Sequence, residues 1–352
     1  MAEEKIKSSK TYQEIFLQPR SFDAVNQALK AVGSTLDVVF SRKFDEVIFT
    51  GCGTSLYLAQ SAAFVLSHYN EIPAKAVCCS ELYYYPDSYV KGKHVLVVPV
   101  TRKSITTEVR MAIDQIRKRP GVQTLSITCD EGSGQYNDFM LLSPDAEEDS
   151  VVMTRSFTSM LYLAVLLAMY AGGKKDEIKA MEAYAEKAGE FLEKADRLAK
   201  RIVYKNPDLK LFVTLGQGIY YGVANECMNK VKEMGIANSE AYYTLEYRHG
   251  PMSLADTDTL IVVFSSLDTR KEDIRLIREM SEYGAVTVAV GINAQVDFFD
   301  ADYQLDLPDC YHDIQNAPMA GLIGQMIGYY VAEKKQLDAD APRHLSQAIV
   351  IK

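Results

Sequence analysis

A short apolar run that ends in a Gly-x-Gly turn and passes into a helical pattern occurs twice in this chain. In the first copy Val47-Ile48-Phe49-Thr50 leads into Gly51-Cys52-Gly53 and then the apolar pattern from Leu56 to Tyr69. In the second, the run from Leu209 to Leu215 ends at Gly216-Gln217-Gly218 and passes into the pattern from Tyr221 to Met234. Two further matches keep the same order. Thr101 and Ser265 each follow a later strand-like run. Ser80-Glu81, trailed by tyrosines and Pro86, pairs with Ser239-Glu240, trailed by tyrosines and Pro251. Matches that recur in one order at a long period mark an internal duplication. Each copy also alternates strand-like with helix-like stretches. The first has His94 to Val100, a helix from Thr106 to Arg117, and Val122 to Thr128; the second has Thr259 to Phe264, a helix from Lys271 to Tyr283, and Ala285 to Gly291. This alternation predicts α/β architecture, with a parallel sheet flanked by helices in each copy. The 352 residues leave room for two such domains.

Between the copies the pattern predicts two helices, Ser156 to Tyr170 and Asp176 to Arg201, broken at Gly172-Gly173. The second is rich in Ala, Glu and Lys, which suits a surface or bridging helix. An N-terminal helix is expected within residues 1–35, its apolar positions (Ile15, Phe16, Phe22, Val25, Leu29) covering a sheet or a partner subunit. The resulting plan is a helical segment at 1–35, a first domain at 36–200, a second at 201–333 and a tail at 334–352 that closes the active site.

Several function classes are excluded. A net charge of −9 opposes non-specific nucleic-acid binding, which needs clustered cations to neutralise phosphates. No run of apolar residues is long enough to span a membrane. The polar, charged stretch Met1 to Lys10 is not a signal peptide, so a cytoplasmic protein is expected. The six cysteines form no C-x-x-C pair and only five histidines accompany them, so no metal site is expected and free thiols are.

Ligands of open parallel sheets bind beyond the carboxyl ends of the strands. Gly53, Thr54 and Ser55 stand there at a helix start, where outward N–H groups and the helix dipole favour an anion. The same residues also read as a plain capped turn. The loop fits neither G-x-G-x-x-G, since Leu56 takes the third glycine's place, nor a Walker A loop. A second loop, Thr101-Arg102-Lys103-Ser104-Ile105-Thr106, offers hydroxyls and two cations, which suit a phosphate or else are solvated basic residues beside a cap. Two such loops on adjacent strands point to a phosphate site. Elsewhere, Glu226, Lys230 and Glu233 share one helical face. Their neighbours Val223, Cys227, Val231 and Met234 predict a largely buried helix, although an exposed ion-paired helix has the same spacing. Proton movement between neighbouring sugar carbons needs a carboxylate base, and sugar-ring opening suits a histidine such as His249 in Arg248-His249-Gly250-Pro251.

Together these motifs resemble the SIS (sugar isomerase) domain family. They are similar to the tandem-SIS isomerase half of glucosamine-6-phosphate synthase and to stand-alone amino-sugar-phosphate deaminases and fructosamine-6-phosphate deglycases. The resemblance implies two tandem flavodoxin- or Rossmann-like SIS domains, with Ser55 as a phosphate-binding hydroxyl. Thr101 to Glu108 resembles the S-x-S-G-x-T-x-E loop, with Thr101 for the first Ser, Lys103 for the second, Ser104 for the Gly and Thr106 in its place. Lys103 there implies a substrate with an additional negative group. Glu148 matches a glutamate near the substrate. Glu226-x-x-x-Lys230-x-Lys232-Glu233 resembles E-x-x-x-K-x-K-E, which makes Glu233 the general base and puts Glu226 and Lys230 at the substrate site. The resemblance makes His249 a ring-opening residue that reaches the site of a neighbouring subunit in a homodimer. In the tail, Asp338 to Gln347 resembles D-x-D-x-P-R-N-L-A-K, with Gln347 where the synthase has its imine-forming lysine; glutamine forms no imine. Met1-Ala2 offers no N-terminal cysteine, so ammonia delivery from glutamine is not expected of this chain. The expected activity is deglycation or deamination of an amino- or aminoacyl-sugar 6-phosphate, without metal or redox cofactor, nucleic acid or membrane. The alternatives are a nitrogen-free aldose–ketose isomerase and a non-catalytic sugar-phosphate-binding regulator.

Overall fold

The computed structural model describes residues 9–351. Ten strands form two five-stranded sheets in which every pairing is parallel. The first sheet has β1 (Glu46–Gly51), β2 (Ala74–Cys78), β3 (Val95–Thr101), β4 (Val122–Thr128) and β5 (Phe139–Leu142), in the order β2-β1-β3-β4-β5. The second has β6 (Leu211–Gly216), β7 (Asn238–Tyr242), β8 (Thr259–Phe264), β9 (Val286–Ile292) and β10 (Tyr303–Leu307), in the order β10-β9-β8-β6-β7. Read from β7, this is the same topology again. In both sheets the order reverses beside the first strand of the copy, which is where doubly wound folds place their ligand crevice.

Burial explains why some strands are visible in the sequence and others are not. β3 and β8 are buried at every position and read as continuous apolar runs, as central parallel strands must. β7 is Asn-Ser-Glu-Ala-Tyr with one buried residue, and β10 alternates buried with half-buried positions. Edge strands of that kind, with β2, carry no long apolar run to betray them, and β5, though apolar, is only four residues long.

Strand register tests the proposed duplication residue by residue. Thr50 pairs with Pro99 and Leu215 with Val263, so Thr101 and Ser265 are equivalent two positions further on. The Ser-Glu match fails. Thr50 pairs with Val77 but Leu215 with Tyr242, so Ser239 inside β7 corresponds to Ala74. Ser80 lies beyond β2, in the helix Cys79–Tyr84.

Two helix expectations also change. The stretch from Asp176 to Arg201 is divided into helix Lys175–Ala180, a 3-10 turn Met181–Ala183 and helix Tyr184–Lys205. The division lets Met181 turn inward, where its carbonyl accepts hydrogen bonds from Asn26 (3.1 Å) and Tyr162 (3.3 Å). It also stacks Tyr184 on Tyr162 at 4.5 Å between centroids. The N-terminal region forms two helices, Lys10–Phe16 and Gln18–Phe40. Asp340 caps the first, accepting from the N–H groups of Lys10 (2.9 Å) and Thr11 (2.7 Å).

By contact density the chain divides into two compact units, each built from separated segments. The unit of the first sheet comprises Leu17–Asp149, Arg155–Glu186 and the tail from Ser346 onward. The unit of the second sheet takes the segment ending at Phe16, Ser150–Thr154 and Lys187–Leu345. Among the described residues no helix is long and apolar enough to cross a membrane.

Candidate active site

In the first-sheet unit, β1 ends at Gly51 and the chain turns through Gly53 (φ +55°, ψ −127°) into helix Thr54–Tyr69. A Cβ on Gly51 would lie 2.6 Å from the Ser55 carbonyl carbon, so the turn closes tightly on the helix start. Thr54 and Ser55 are buried in that first turn.

The loop after β3 is held by internal hydrogen bonds. The Thr101 hydroxyl donates to the carbonyl oxygen of Lys103 (2.7 Å), as does that of Thr106 (3.3 Å). Ser104 donates its N–H (2.7 Å) and its hydroxyl (2.6 Å) to the Asp130 carboxylate. The Arg102 guanidinium is buried; it pairs with Glu148 at 3.2 Å and donates to the Gln347 carbonyl at 2.8 Å. Ser156 donates to the same Glu148 oxygen. Lys103 pairs with Glu147. Both cations therefore face carboxylates of their own unit. The Gln347 side-chain amide donates to the carbonyls of Glu148 (3.2 Å) and Asp149 (2.8 Å). Further along, Thr107 and Ile351 are tied by N–H bonds (Thr107 to the Ile349 carbonyl, 3.1 Å; Ile351 to the Thr107 hydroxyl, 3.0 Å). The segment from Ser346 is thus fastened beside the β3 loop.

In the second-sheet unit, β6 ends at Gly216 and Gly218 (φ +55°, ψ −125°) opens helix Ile219–Glu233. That helix packs against Asp313–Lys334 so closely that a Cβ on Gly324 would lie 2.0 Å from the Cys227 sulfur, and one on Gly328 2.7 Å from the Lys230 carbonyl. The close packing removes the middle of the helix from water. Lys230 is fully buried, 3.1 Å from Glu226 and hydrogen-bonded to Glu233. Burial works against its ammonium charge, but Glu226 and Glu233 outweigh it and hold the Lys230 pKa above its ordinary value. The Glu226 side chain is 1% exposed and that of Glu233 22%, so Glu233 is the carboxylate of the triad that reaches solvent.

His249 is exposed, between the short turns Glu246–Arg248 and Pro251–Leu254. Arg248 is fixed by Glu279, and Gly250 takes a φ of +122° that a side chain would disfavour. An open cleft of about 530 Å³ lies here, lined by Arg248, Gly250, Met252, Ser253, Ala255 and Tyr283. After β8, the Ser265 hydroxyl (2.7 Å) and that of Thr269 (2.6 Å) both donate to the buried carboxylate of Asp273. Burial pushes the Asp273 carboxyl up to about 6.

Nine of the fourteen residues picked out in the sequence thus gather into three groups, while Gly53, Thr54, Ser55, Lys103 and His249 stand outside them. Thr101, Ser104 and Thr106 share one loop, Arg102, Glu148 and Gln347 form a clasp, and Glu226, Lys230 and Glu233 form a buried triad. Sequence reasoning missed Asp130, Glu147 and Asp273. Asp130 had a usable signal, because it follows the carboxyl end of β4, the same rim as the loops that were singled out.

The family model for the SIS domain matches residues 42–170 and 210–328. The glutamine–fructose-6-phosphate aminotransferase (isomerizing) of Aquifex aeolicus is 26% identical over 347 residues, which is 96% of this chain and 57% of that protein. The enzyme of the same description from Sulfurisphaera tokodaii is 27% identical over 348 residues. The chain spans about half the length of these curated relatives. Among solved structures, glucosamine-6-phosphate deaminase of Thermotoga maritima is similar, with a TM-score of 0.82 and 27% identity, over 97% of this chain and 100% of that one. Tagatose-6-phosphate ketose/aldose isomerase of Escherichia coli shares the fold, with a TM-score of 0.86 at 23% identity, over 98% of this chain and 97% of that one.

Proposed function

Because the chain belongs to the SIS domain family, we propose that it is a phosphosugar-processing enzyme that deglycates or deaminates an amino- or aminoacyl-sugar 6-phosphate. The observation that carries the reading is the triad on helix Ile219–Glu233. A buried ammonium lies between two carboxylates, and one of them, Glu233, is open to solvent. A carboxylate so held suits the removal of a carbon-bound proton. In a fructosamine 6-phosphate, Glu233 takes a proton from C1, and an enaminol forms. The proton returns at C2, leaving a C1 imine. One water then cleaves the C–N bond, giving an aldose 6-phosphate and an amine. His249 assists ring opening, and its exposure suits presentation to a second copy in a homodimer. Phosphate recognition falls to Gly53, Thr54 and Ser55 and to the loop from Thr101 to Thr106. Gln347 supports C–N cleavage over synthesis, since its amide is engaged with backbone carbonyls and has no amine to offer.

A coupled assay tests the reading. Purified protein is offered fructosamine 6-phosphates and glucosamine 6-phosphate, and glucose 6-phosphate, fructose 6-phosphate and free amine are measured. Amine release that is lost in Glu233→Gln is the expected result. Turnover of nitrogen-free ketose phosphates alone would make the chain an aldose–ketose isomerase, and no turnover of any of them would reject catalysis.

A further inference from the structure

The hydroxyls expected to grip phosphate in the β3 loop are turned onto an oxygen of their own loop. Thr101 and Thr106 both donate to the Lys103 carbonyl, and the N–H of Thr106 also points to it at 3.4 Å. The spot enclosed by these three donors therefore holds a partial negative charge where an anion would sit. The next atom of the same peptide plane, the Ser104 nitrogen, points the opposite way and donates to Asp130. The carbonyl and the N–H of one peptide plane point in opposite directions. Turning this plane over would carry the Lys103 carbonyl out of the donor cluster and put the Ser104 N–H there instead. The spot would then offer a fourth donor in place of an acceptor, an arrangement suited to phosphate.

Asp130 opposes that turn. Its Oδ2 accepts both the N–H and the hydroxyl of Ser104, and its Oδ1 accepts the Gly132 N–H at 2.9 Å. Burial works against its charge, but the bonds from Ser104 and Gly132 outweigh it and keep the Asp130 carboxyl below its ordinary value. A turned plane would aim the Lys103 carbonyl at this carboxylate. Ser104 is a second brake: its φ is negative here, and the turned plane shifts φ toward the positive region that glycine tolerates and serine does not. Arg110 donates from its Nε to the Ser104 carbonyl at 2.8 Å, which anchors the following peptide plane and leaves the Lys103–Ser104 plane to Asp130 and Ser104.

We propose that the Lys103–Ser104 peptide is a two-position gate on the anion loop, and that Asp130 is the positioning residue holding it in the anion-excluding orientation. The proposal rests on the phosphate reading of this loop given above. It makes phosphate affinity a property of residues 104 and 130, neither of which needs to touch the phosphate through its side chain.

The test uses the full chain, with inorganic phosphate and glucose 6-phosphate as titrants in calorimetry, on wild type, Ser104→Gly and Asp130→Asn. Ser104→Gly leaves every charge in place and is expected to bind both titrants about tenfold more tightly, because glycine accepts the turned plane at little cost. Asp130→Asn is expected to tighten binding as well, and the Ser104 amide signal in nitrogen–proton spectra is expected to move on phosphate addition. If Asp130→Asn tightens binding while Ser104→Gly leaves it unchanged, Asp130 acts by charge repulsion alone and the gate is rejected. Unchanged or weaker binding in both variants rejects it equally. Absence of binding to all three proteins at millimolar titrant removes the phosphate reading of the loop itself. That outcome is distinguishable from failure of the gate, in which the wild type binds. Circular dichroism on each variant separates a lost fold from a lost gate.

Discussion

The loops after β3 and β8 begin at equivalent positions, Thr101 and Ser265, and both spend their hydroxyls on internal acceptors. The acceptors differ in kind. In the first loop the acceptor is the neutral Lys103 carbonyl. In the second it is the carboxylate of Asp273, buried and bonded to both Ser265 and Thr269. A neutral oxygen is exchangeable for an anion, because the donors keep a partner throughout. A buried carboxylate is not, because an entering phosphate would meet a like charge in a poorly solvated place. Duplication has preserved the backbone frame and the leading hydroxyl. The copies differ in that the second loop spends its hydroxyls on an acidic side chain and the first does not. The chemistry is divided the opposite way, with the buried triad in the second copy. At the positions of Glu226, Lys230 and Glu233 relative to the Gly-x-Gly turn, the first copy has Ser61, Val65 and His68.

The strongest way to sharpen this contrast is Glu233→Gln. If the second unit supplies the base and the first the phosphate grip, turnover falls by roughly 10³-fold, a size typical of losing a positioned base. Affinity for inorganic phosphate stays as in the wild type. Steady-state assays and calorimetry on the same preparation read the two quantities separately. A parallel loss of phosphate affinity would break the division.

Asp273→Asn tests the other side of the comparison. The Asp273 carboxyl titrates near 6 in the fold, above the ordinary carboxylate value near 4. The folded state therefore holds its proton more tightly than the unfolded chain does. This stabilisation is complete below about pH 4 and disappears as pH rises through 6. Ionised Asp273 thus costs about 3 kcal/mol of folded stability at neutral pH relative to its protonated form. Asparagine has no such titration and still accepts from Ser265 and Thr269. Chemical unfolding at pH 4 and at pH 7.5 is expected to show the variant gaining on the wild type by up to about that amount. A stability gap independent of pH would remove the burial argument. The same variant also probes the plug, because phosphate stoichiometry should rise from one to two per chain if the carboxylate alone bars the second loop.

Much of this frame was legible in the sequence, and the illegible parts have physical reasons. Central strands such as β3 and β8 are buried on both faces, so their apolar runs announce them. β2 and β7 are edge strands and look like loops. The duplication was visible at the Gly-x-Gly turns, where a positive φ restricts the residue type, and at Thr101 and Ser265, whose hydroxyls are both spent on acceptors of their own loops. It was misread at Ser80-Glu81, where similar composition carried no register. The triad was legible because its spacing of four and three residues puts it on one face among apolar neighbours. The pairing of Arg102 with Glu148 was not, because ion pairs between residues far apart in sequence leave no periodic trace. For the same reason the hydroxyl-bearing loops were recognised while Asp130 and Asp273, which decide how those hydroxyls are used, passed unnoticed.

The smallest effect is expected where the two copies agree best. Gly53 and Gly218 share φ of +55° with ψ of −127° and −125°. This is a region open to glycine and closed to residues with a Cβ. A Cβ on Gly53 would meet nothing within 4 Å, so replacing it with alanine costs backbone strain and no steric clash. Gly53→Ala and Gly218→Ala are therefore each expected to destabilise the fold by about 2 kcal/mol. The two should differ in function although they agree in strain. Gly53 precedes the helix start proposed above to offer N–H groups to phosphate, so on that reading its variant should also weaken phosphate binding. Gly218 sits in the copy whose β8 loop holds the Asp273 carboxylate, so its variant should leave that binding alone. Thermal unfolding and phosphate titration of both variants decide the matter. Equal destabilisation with unequal phosphate binding is the outcome a preserved frame with divided chemistry requires. Equal loss of binding would mean that the second turn takes part in anion recognition as well.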